Sequence, residues 1–294
     1  MRPTNLREFI GQNQIKKGLE VGIKSALMRG KSLPHTLFLG GSGLGKTTLA
    51  FVVANELKVP FVSFVGGSIK EPEELLNVLK RLQKNSVLFI DEIHSLDSKI
   101  EEILYSAMED KKVNVVYEDG SEGHILINDF TLIGATTHYG KLSKPLKSRF
   151  SIYRLKWYTG REMEKIVSLH ATGLNLGVNE RACELIAQTC RNTPRLAVNL
   201  LIGARDYMIV REGGKVLYDD VINVLKNLGI DDRGLNGLDW EYMKLLKRYK
   251  KMGLGSIASA LNEDKITVEE EVEPFLMKLG LIIRSASGRM LAEV

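Results

Sequence analysis

The first half of the chain alternates short apolar runs with amphipathic stretches. Thr36–Leu39, Phe61–Val65, residues 87–90 and residues 131–135 run apolar with little interruption, as strands covered on both faces do. Apolar residues at helical spacing fill the gaps: Leu49, Val52, Val53 and Leu57 after Gly45, then residues 72–82 and 99–108. This alternation predicts an α/β fold, a parallel sheet covered by helices. Residues 113–117 and 124–127 break the rhythm. They flank Glu118-Asp-Gly-Ser-Glu-Gly123, so the segment from Val113 to Ile127 reads as a projecting hairpin with a polar turn.

From about Gly160 the pattern is helical only, over residues 161–172, 180–190, 194–210 and 219–228. A small α-helical lid domain is the simplest reading. A turn-rich linker, residues 229–237, leads to three short helical patterns and then to residues 281–284 and 289–291 around Ser285-Ala-Ser-Gly288. Helices followed by a terminal hairpin predict a winged helix-turn-helix. The expected domains are residues 1–158, an ATPase domain by the chemistry below, 159–229, the lid, and 230–294, the winged helix.

At 294 residues the chain has room for these domains, and 44% hydrophobic with 26% charged residues is the balance of a soluble globular protein. The apolar runs fall far short of a membrane span and the N-terminus lacks a secretory apolar region, so the cytoplasm is the expected location and no membrane partner is expected. Cys183 and Cys190 lie two turns apart on one helical pattern, too far for a disulfide, and read as core thiols. A net charge of +5 permits nucleic-acid binding without demonstrating it. Five histidines, His35, His94, His124, His138 and His170, are scattered along the chain, and no metal beyond Mg²⁺ is expected from them.

Gly40-Gly-Ser-Gly-Leu-Gly-Lys-Thr47 is a complete G-x-x-x-x-G-K-T phosphate-binding loop, and it sits between a strand pattern and a helix pattern as that motif requires. Gly43 and Gly45 let backbone N–H groups wrap phosphates, and the following helix turns its positive end toward them. In this motif Lys46 reaches the β- and γ-phosphates and the Thr47 hydroxyl holds Mg²⁺. Residues 87–90 then end in Asp91 and Glu92, placing two carboxylates at the edge where open α/β sheets bind ligands. Asp91 would support Mg²⁺ and Glu92 would polarise the attacking water. Thr137 ends another apolar strand and either senses the γ-phosphate, orients the water, or fills the commoner structural role of a strand-end threonine. Arg149 and Arg195 leave open which guanidinium groups meet phosphates, since an isolated arginine is usually a surface ion pair.

The succession Arg2-Pro, Gly11-Gln12, Gly40 to Thr47, Val87-Leu-Phe-Ile-Asp-Glu-Ile-His94, Ala107-Met-Glu-Asp110, Thr131 to Thr137, Pro145-Leu-Lys-Ser-Arg-Phe150 and Thr193-Pro-Arg-Leu-Ala197 resembles the RuvB family, Holliday-junction branch-migration motors, over nearly the whole chain. The resemblance implies an AAA+ ATPase working as a homo-hexameric ring on duplex and four-way-junction DNA in recombination and repair, with ATP and Mg²⁺. It implies Lys46, Thr47 and Thr48 as the nucleotide-binding loop, Asp91 and Glu92 as metal and hydrolysis acids, and Thr137 as the sensor-1 threonine. By the same resemblance Arg149 is the finger that acts on ATP held by a neighbouring subunit, Arg195 is the sensor-2 arginine of the lid, and Arg2, Ile10 and Tyr158 grip the adenine end.

Residues 230–294 hold ten Lys plus Arg against eleven Asp plus Glu, so any DNA contact must come from local clusters. One is Lys244 to Lys251. The other is Arg284 and Arg289, which bracket the Ser-Ala-Ser-Gly turn and are expected to project from it. The resemblance implies that these two wing arginines contact DNA, through phosphates because a translocating motor tolerates every sequence. It also implies a junction-binding partner, RuvA, docking on the Val113 to Ile127 hairpin. Here that turn is shorter and more acidic than the family's, His138 stands where an arginine commonly follows the sensor threonines, and both chain ends are shorter, as in a compact, divergent version. An alternative reading is a clamp-loader-like or initiator-like switch that uses ATP to assemble a protein on DNA. A third, a protein remodeller, lacks an aromatic pore-loop motif.

Overall fold

Three of the four apolar runs take the middle of the sheet, while Phe61–Val65, expected to be covered on both faces, is a half-exposed edge. The computed structural model describes residues 2–116 and 120–292. Helix α1 (Asn13–Arg29) precedes β1 (Thr36–Leu39), and α2 (Lys46–Leu57), β2 (Phe61–Val65), α3 (Pro72–Arg81), β3 (Ser86–Asp91) and α4 (Ser98–Glu109) follow. The hairpin β4 (Lys112–Val116) and β5 (Glu122–Leu126) leads to β6 (Phe130–Thr136), α5 (Lys144–Ser148) and β7 (Ser151–Arg154). The five main strands are parallel in the order β2-β3-β6-β1-β7. β1 and β6 are buried throughout, while β2 and β7 are half-exposed edges.

Three elements of this unit, α1, α5 and β7, were not among the sequence expectations. Ile15, Leu19, Ile23 and Ala26 form the buried stripe of α1, a helical periodicity that was legible. β7, Ser-Ile-Tyr-Arg, is an edge strand with one face in water, so it lacks the apolar run that marks its neighbours. The expected hairpin is present as an antiparallel pair, Lys112 opposite Leu126 and Val115 opposite Gly123. Its expected turn residues Glu118 and Asp119 lie outside the described residues.

The chain divides by packing between Tyr158 and Thr159. In the second unit α6 (Gly160–Gly173) starts with a reciprocal Thr159/Glu162 capping box, and α7 (Glu180–Thr189), α8 (Pro194–Val210) and α9 (Tyr218–Asn227) complete the helical part. Then come α10 (Gly237–Tyr249), β8 (Lys251–Met252), α11 (Leu254–Leu261), α12 (Lys265–Thr267), a π-helical turn (Val268–Val272), α13 (Glu273–Lys278), β9 (Ile282–Ser285) and β10 (Gly288–Leu291). The last strands form a sheet in the order β8-β10-β9, so the expected wing gains a short third strand. Tyr242, Leu246, Ile257, Val268, Phe275 and Leu276 are at the centre of its apolar cluster.

The helical part and the winged part pack as one unit. Arg191, just past α7, pairs with Asp239 of α10, donates Nε to the Gly234 carbonyl at 3.1 Å and Nη1 to the Glu271 carbonyl at 3.2 Å, and lies over the Phe275 ring. Cys183 and Cys190 are both free thiols, and burial pushes the Cys190 thiol up to about 11, which makes it an inert core group. Among the described residues no helix is long and apolar enough to cross a membrane.

Candidate nucleotide site and wing

Strand order decides what can meet at the sheet's edge. β6 lies between β1 and β3, so the residues after β6 emerge between the phosphate loop after β1 and the acids after β3. The registers agree: Leu39 is level with Thr136, and Ile90 with Gly134. Thr47 and Asp91, 44 residues apart, meet directly, with Thr47 Oγ1 donating to Asp91 Oδ2 at 3.0 Å. This is a hydroxyl beside a carboxylate, an oxygen pair suited to Mg²⁺. Lys46 is buried and its Nζ donates to the Gly40 and Gly41 carbonyls at 2.8 and 3.0 Å, which curls the ammonium over the loop. Gly45 has φ 91° at the N-cap of α2, a conformation that glycine takes without strain. Gly43 has φ 76° two residues earlier, and Thr48 follows in the first turn of α2. The loop and its oxygen donors fit a nucleotide triphosphate with its magnesium ion.

Glu92 leaves β3 in a left-handed conformation, φ 46° and ψ 47°. The 3₁₀ turn at Gly66–Ser68 presses against it: a Cβ on Gly66 would lie 2.6 Å from the Glu92 carbonyl oxygen. Only glycine permits that approach, a requirement that no local motif announces. Glu92 Oε2 accepts from the Thr137 backbone N–H at 3.4 Å and lies 3.2 Å from His94 Nδ1. Thr137 Oγ1 is 2.7 Å from His138 Nδ1 and Thr136 Oγ1 is 2.9 Å from His94 Nδ1. Burial pushes the His94 imidazole below its ordinary value, against the upward pull of the Glu92 carboxylate. Two of the scattered histidines thus meet, with ring centroids 4.7 Å apart.

The N-terminal segment braces the loop from behind. Arg2 Nη2 donates to the Thr47 carbonyl at 2.8 Å, and its guanidinium lies over the Phe51 ring at 4.4 Å. Ile10 is half-buried beside Phe9, whose ring edge would meet a Cβ on Gly45 at 3.3 Å. Buried Tyr158 donates its hydroxyl to the Leu44 carbonyl at 3.0 Å. Gln12 adds a two-way clamp with the Lys156 backbone, at 2.7 and 3.0 Å.

Arg149 does not join this group. Its Nη2 pairs with Glu109 Oε1 at 2.9 Å, its Nη1 donates to the Pro145 carbonyl at 2.7 Å, and its guanidinium lies over Tyr105 at 4.8 Å. Its Nε is buried without a hydrogen-bond partner, an arrangement of a fork only partly satisfied in its own chain. Arg195 is exposed in the first turn of α8, on the second unit.

The wing arginines need a correction of geometry. They sit on facing strands, Arg289 opposite Arg284, but instead of projecting from the turn they fold back toward Glu273. Arg289 donates Nε to Glu273 Oε1 at 2.8 Å and Nη2 to Oε2 at 3.3 Å, and its side chain is 11% exposed. Arg284 pairs with Glu269, lies 3.7 Å from Glu273 and is 42% exposed. Two like charges across a strand pair repel, and the fully buried Glu273 carboxylate, which also accepts from the Tyr242 hydroxyl at 3.0 Å, offsets that repulsion. Burial, and after it the neighbouring Glu273 carboxylate, push the Tyr242 phenol up.

Comparison with known proteins covers the whole chain. Residues 1–155 match the family described as Holliday junction DNA helicase RuvB P-loop domain, residues 158–231 the RuvB AAA lid domain and residues 232–294 the RuvB C-terminal winged helix domain. The Holliday junction branch migration complex subunit RuvB of Campylobacter fetus is 41% identical over 297 residues, covering 99% of this chain and 87% of the relative. Its Staphylococcus aureus counterpart is 40% identical, covering 98% and 89%. The Thermotoga maritima RuvB Holliday junction branch migration motor superimposes with a TM-score of 0.88 at 38% identity, covering 99% of this chain and 95% of that one. With a phosphate-loop domain, a lid and a winged helix matched in order along its length, the chain belongs to the RuvB family.

Proposed function

We propose that the chain is an ATP-driven motor of Holliday-junction branch migration, acting on duplex and four-way-junction DNA as a homo-hexameric ring in the cytoplasm. The observation that carries the ATPase part is the 3.0 Å bond between Thr47 and Asp91 beside Lys46. In this reading residues 1–158 hydrolyse ATP, 159–229 act as the lid and 230–294 meet DNA. The Val113 to Ile127 hairpin, where Leu126 is 76% exposed, is the docking site for a RuvA-like partner.

Lys46 would exchange its loop carbonyls for phosphate oxygens, and Thr47 and Asp91 would hold Mg²⁺, whose charge offsets that of the phosphates. Glu92 accepts the proton of the attacking water, with Thr137 keeping its carboxylate in place through the backbone N–H. Gly43, Gly45 and Thr48 complete the loop, Arg2, Ile10 and Tyr158 secure the adenine end, and Arg195 senses nucleotide from the lid. Arg149 serves the site of the next subunit, a role supported by its separation from the phosphate loop of its own chain.

ATP hydrolysis measured against protein concentration, with and without duplex and four-way-junction DNA, tests the whole reading. The specific rate should rise cooperatively with concentration and rise further with DNA. A rate indifferent to both removes the ring motor and leaves a solitary ATPase.

Two residues give narrower tests. Gly66→Ala pushes its new Cβ onto the Glu92 carbonyl, and displacement of a catalytic group by about 1 Å costs on the order of 10²-fold in rate. Steady-state kinetics should show kcat falling by about that factor with nucleotide affinity retained; a parallel loss of nucleotide binding would mean the loop itself had collapsed. At the wing, Arg284 and its neighbour Arg289 are the proposed phosphate contacts. Arg284→Ala should weaken binding to duplexes of unrelated sequence alike and flatten the salt dependence by about one counterion. Equal slopes for variant and parent would remove Arg284 from the DNA interface.

A further inference from the structure

The end of β6 brings together three metal-ligating side chains that the hydrolysis scheme does not use as a set. Glu92, His94 and His138 each place one ligand atom within 4.8 Å of the other two, and all three are partly buried. One carboxylate with two imidazoles suits Zn²⁺, Co²⁺ or Ni²⁺, whereas Mg²⁺ prefers oxygen ligands such as those of Thr47 and Asp91.

Both rings are already oriented. The Thr136 hydroxyl lies 2.9 Å from His94 Nδ1 and the Thr137 hydroxyl 2.7 Å from His138 Nδ1, which fixes the direction of each ring. Ligand atoms around a tetrahedral Zn²⁺ with bonds of about 2.0–2.2 Å lie roughly 3.5 Å apart, so closing the trio takes small side-chain rotations and no backbone change.

We propose that Glu92, His94 and His138 form a binding site for a borderline divalent metal ion of the Zn²⁺ class, and that its occupation draws the Glu92 carboxylate away from the attacking water and stops hydrolysis. The inhibition rests on the proposed role of Glu92; the metal site does not. The ion would act as a reversible brake that leaves the loop and its phosphate-binding groups intact.

The test uses the full chain and two separate readouts. Zn²⁺ is titrated calorimetrically, and Co²⁺ is followed by its visible ligand-field absorption, for the parent, His138→Gln and His138→Arg; ATP hydrolysis with Mg²⁺ is measured across the same Zn²⁺ range. One Zn²⁺ per chain is expected, with affinity falling at least about 10²-fold in both variants, since even outer-shell losses cost 10–100-fold. Hydrolysis by the parent should fall as the site fills, and hydrolysis by the variants should resist the same Zn²⁺ concentrations. No stoichiometric Zn²⁺ binding by the parent, or equal affinity in the variants, overturns the site. Binding that depends on His138 but leaves hydrolysis untouched overturns the brake and counts against Glu92 as the hydrolytic acid, while cooperative, DNA-stimulated turnover bears separately on the motor.

Discussion

Arg149→Ala should lower the ATPase rate about 10³-fold or more, the scale on which a guanidinium supplied in trans stabilises the transferred phosphoryl. The mechanism requires that the loss be in trans, and mixing subunits exposes this. An Arg149→Ala subunit keeps its own loop, Asp91 and Glu92; a Glu92→Gln subunit keeps its finger. Each is expected to be nearly inactive alone, and mixtures should regain activity wherever a Glu92→Gln subunit presents its arginine to an Arg149→Ala site. A mixture no more active than its components would place Arg149 in a structural role. That role has a physical basis, because its partners in the chain are Glu109, the Pro145 carbonyl and the Tyr105 ring. To reach a neighbour's phosphate the guanidinium must leave Glu109, whose carboxylate is 58% exposed and so holds it only weakly.

Arg191→Ala carries the largest expected effect on stability. Its partner Asp239 is fully buried, accepts from the Asn236 backbone at 2.8 Å, and has a second carboxylate oxygen with no hydrogen-bond partner. Removing the guanidinium leaves a buried charge uncompensated, at a cost of about 3–5 kcal/mol, or a fall in melting temperature of roughly 10 °C for a unit of this size. Calorimetry of the full chain should show this in the transition of the unit formed by residues 159–292, with the transition of residues 2–158 in place. Burial already pushes the Asp239 carboxyl above its ordinary value, and Arg191 opposes that shift. Without Arg191 the folded-state value rises further above the unfolded one, so the lost stability is greatest above the folded value. It should shrink as pH falls toward the unfolded value near 4. A pH-independent loss would assign the effect to packing against Phe275 in place of charge. Pairing Arg191→Met with Asp239→Asn should recover a good part of it, since the second change removes the stranded charge.

The boundary between sequence and tertiary information follows the range of the interactions. The phosphate loop, the β3 acids and the central strands were legible because their chemistry is local: glycines for a nest of N–H groups and an apolar run for a strand covered on both faces. β1, β2 and α8 have the bounds their patterns predict. The edge strand β7 was not legible, because one solvated face removes the run that identifies a buried strand. Pairings across long separations depended on the fold alone. Strand order brought Thr47 to Asp91 and set His94 beside His138, and a close approach of two backbones made Gly66 obligatory beside Glu92. In the wing, sequence located Arg284 and Arg289 on either side of a turn; only packing put Glu273 beneath them and drew their charge inward. By itself, then, the sequence determined the family and located the phosphate loop and the two acids after β3, because those are written in short motifs. Tertiary structure decided which charges are paired, which are held in reserve and which histidines meet, because Coulombic and steric terms depend on distance in space and not along the chain.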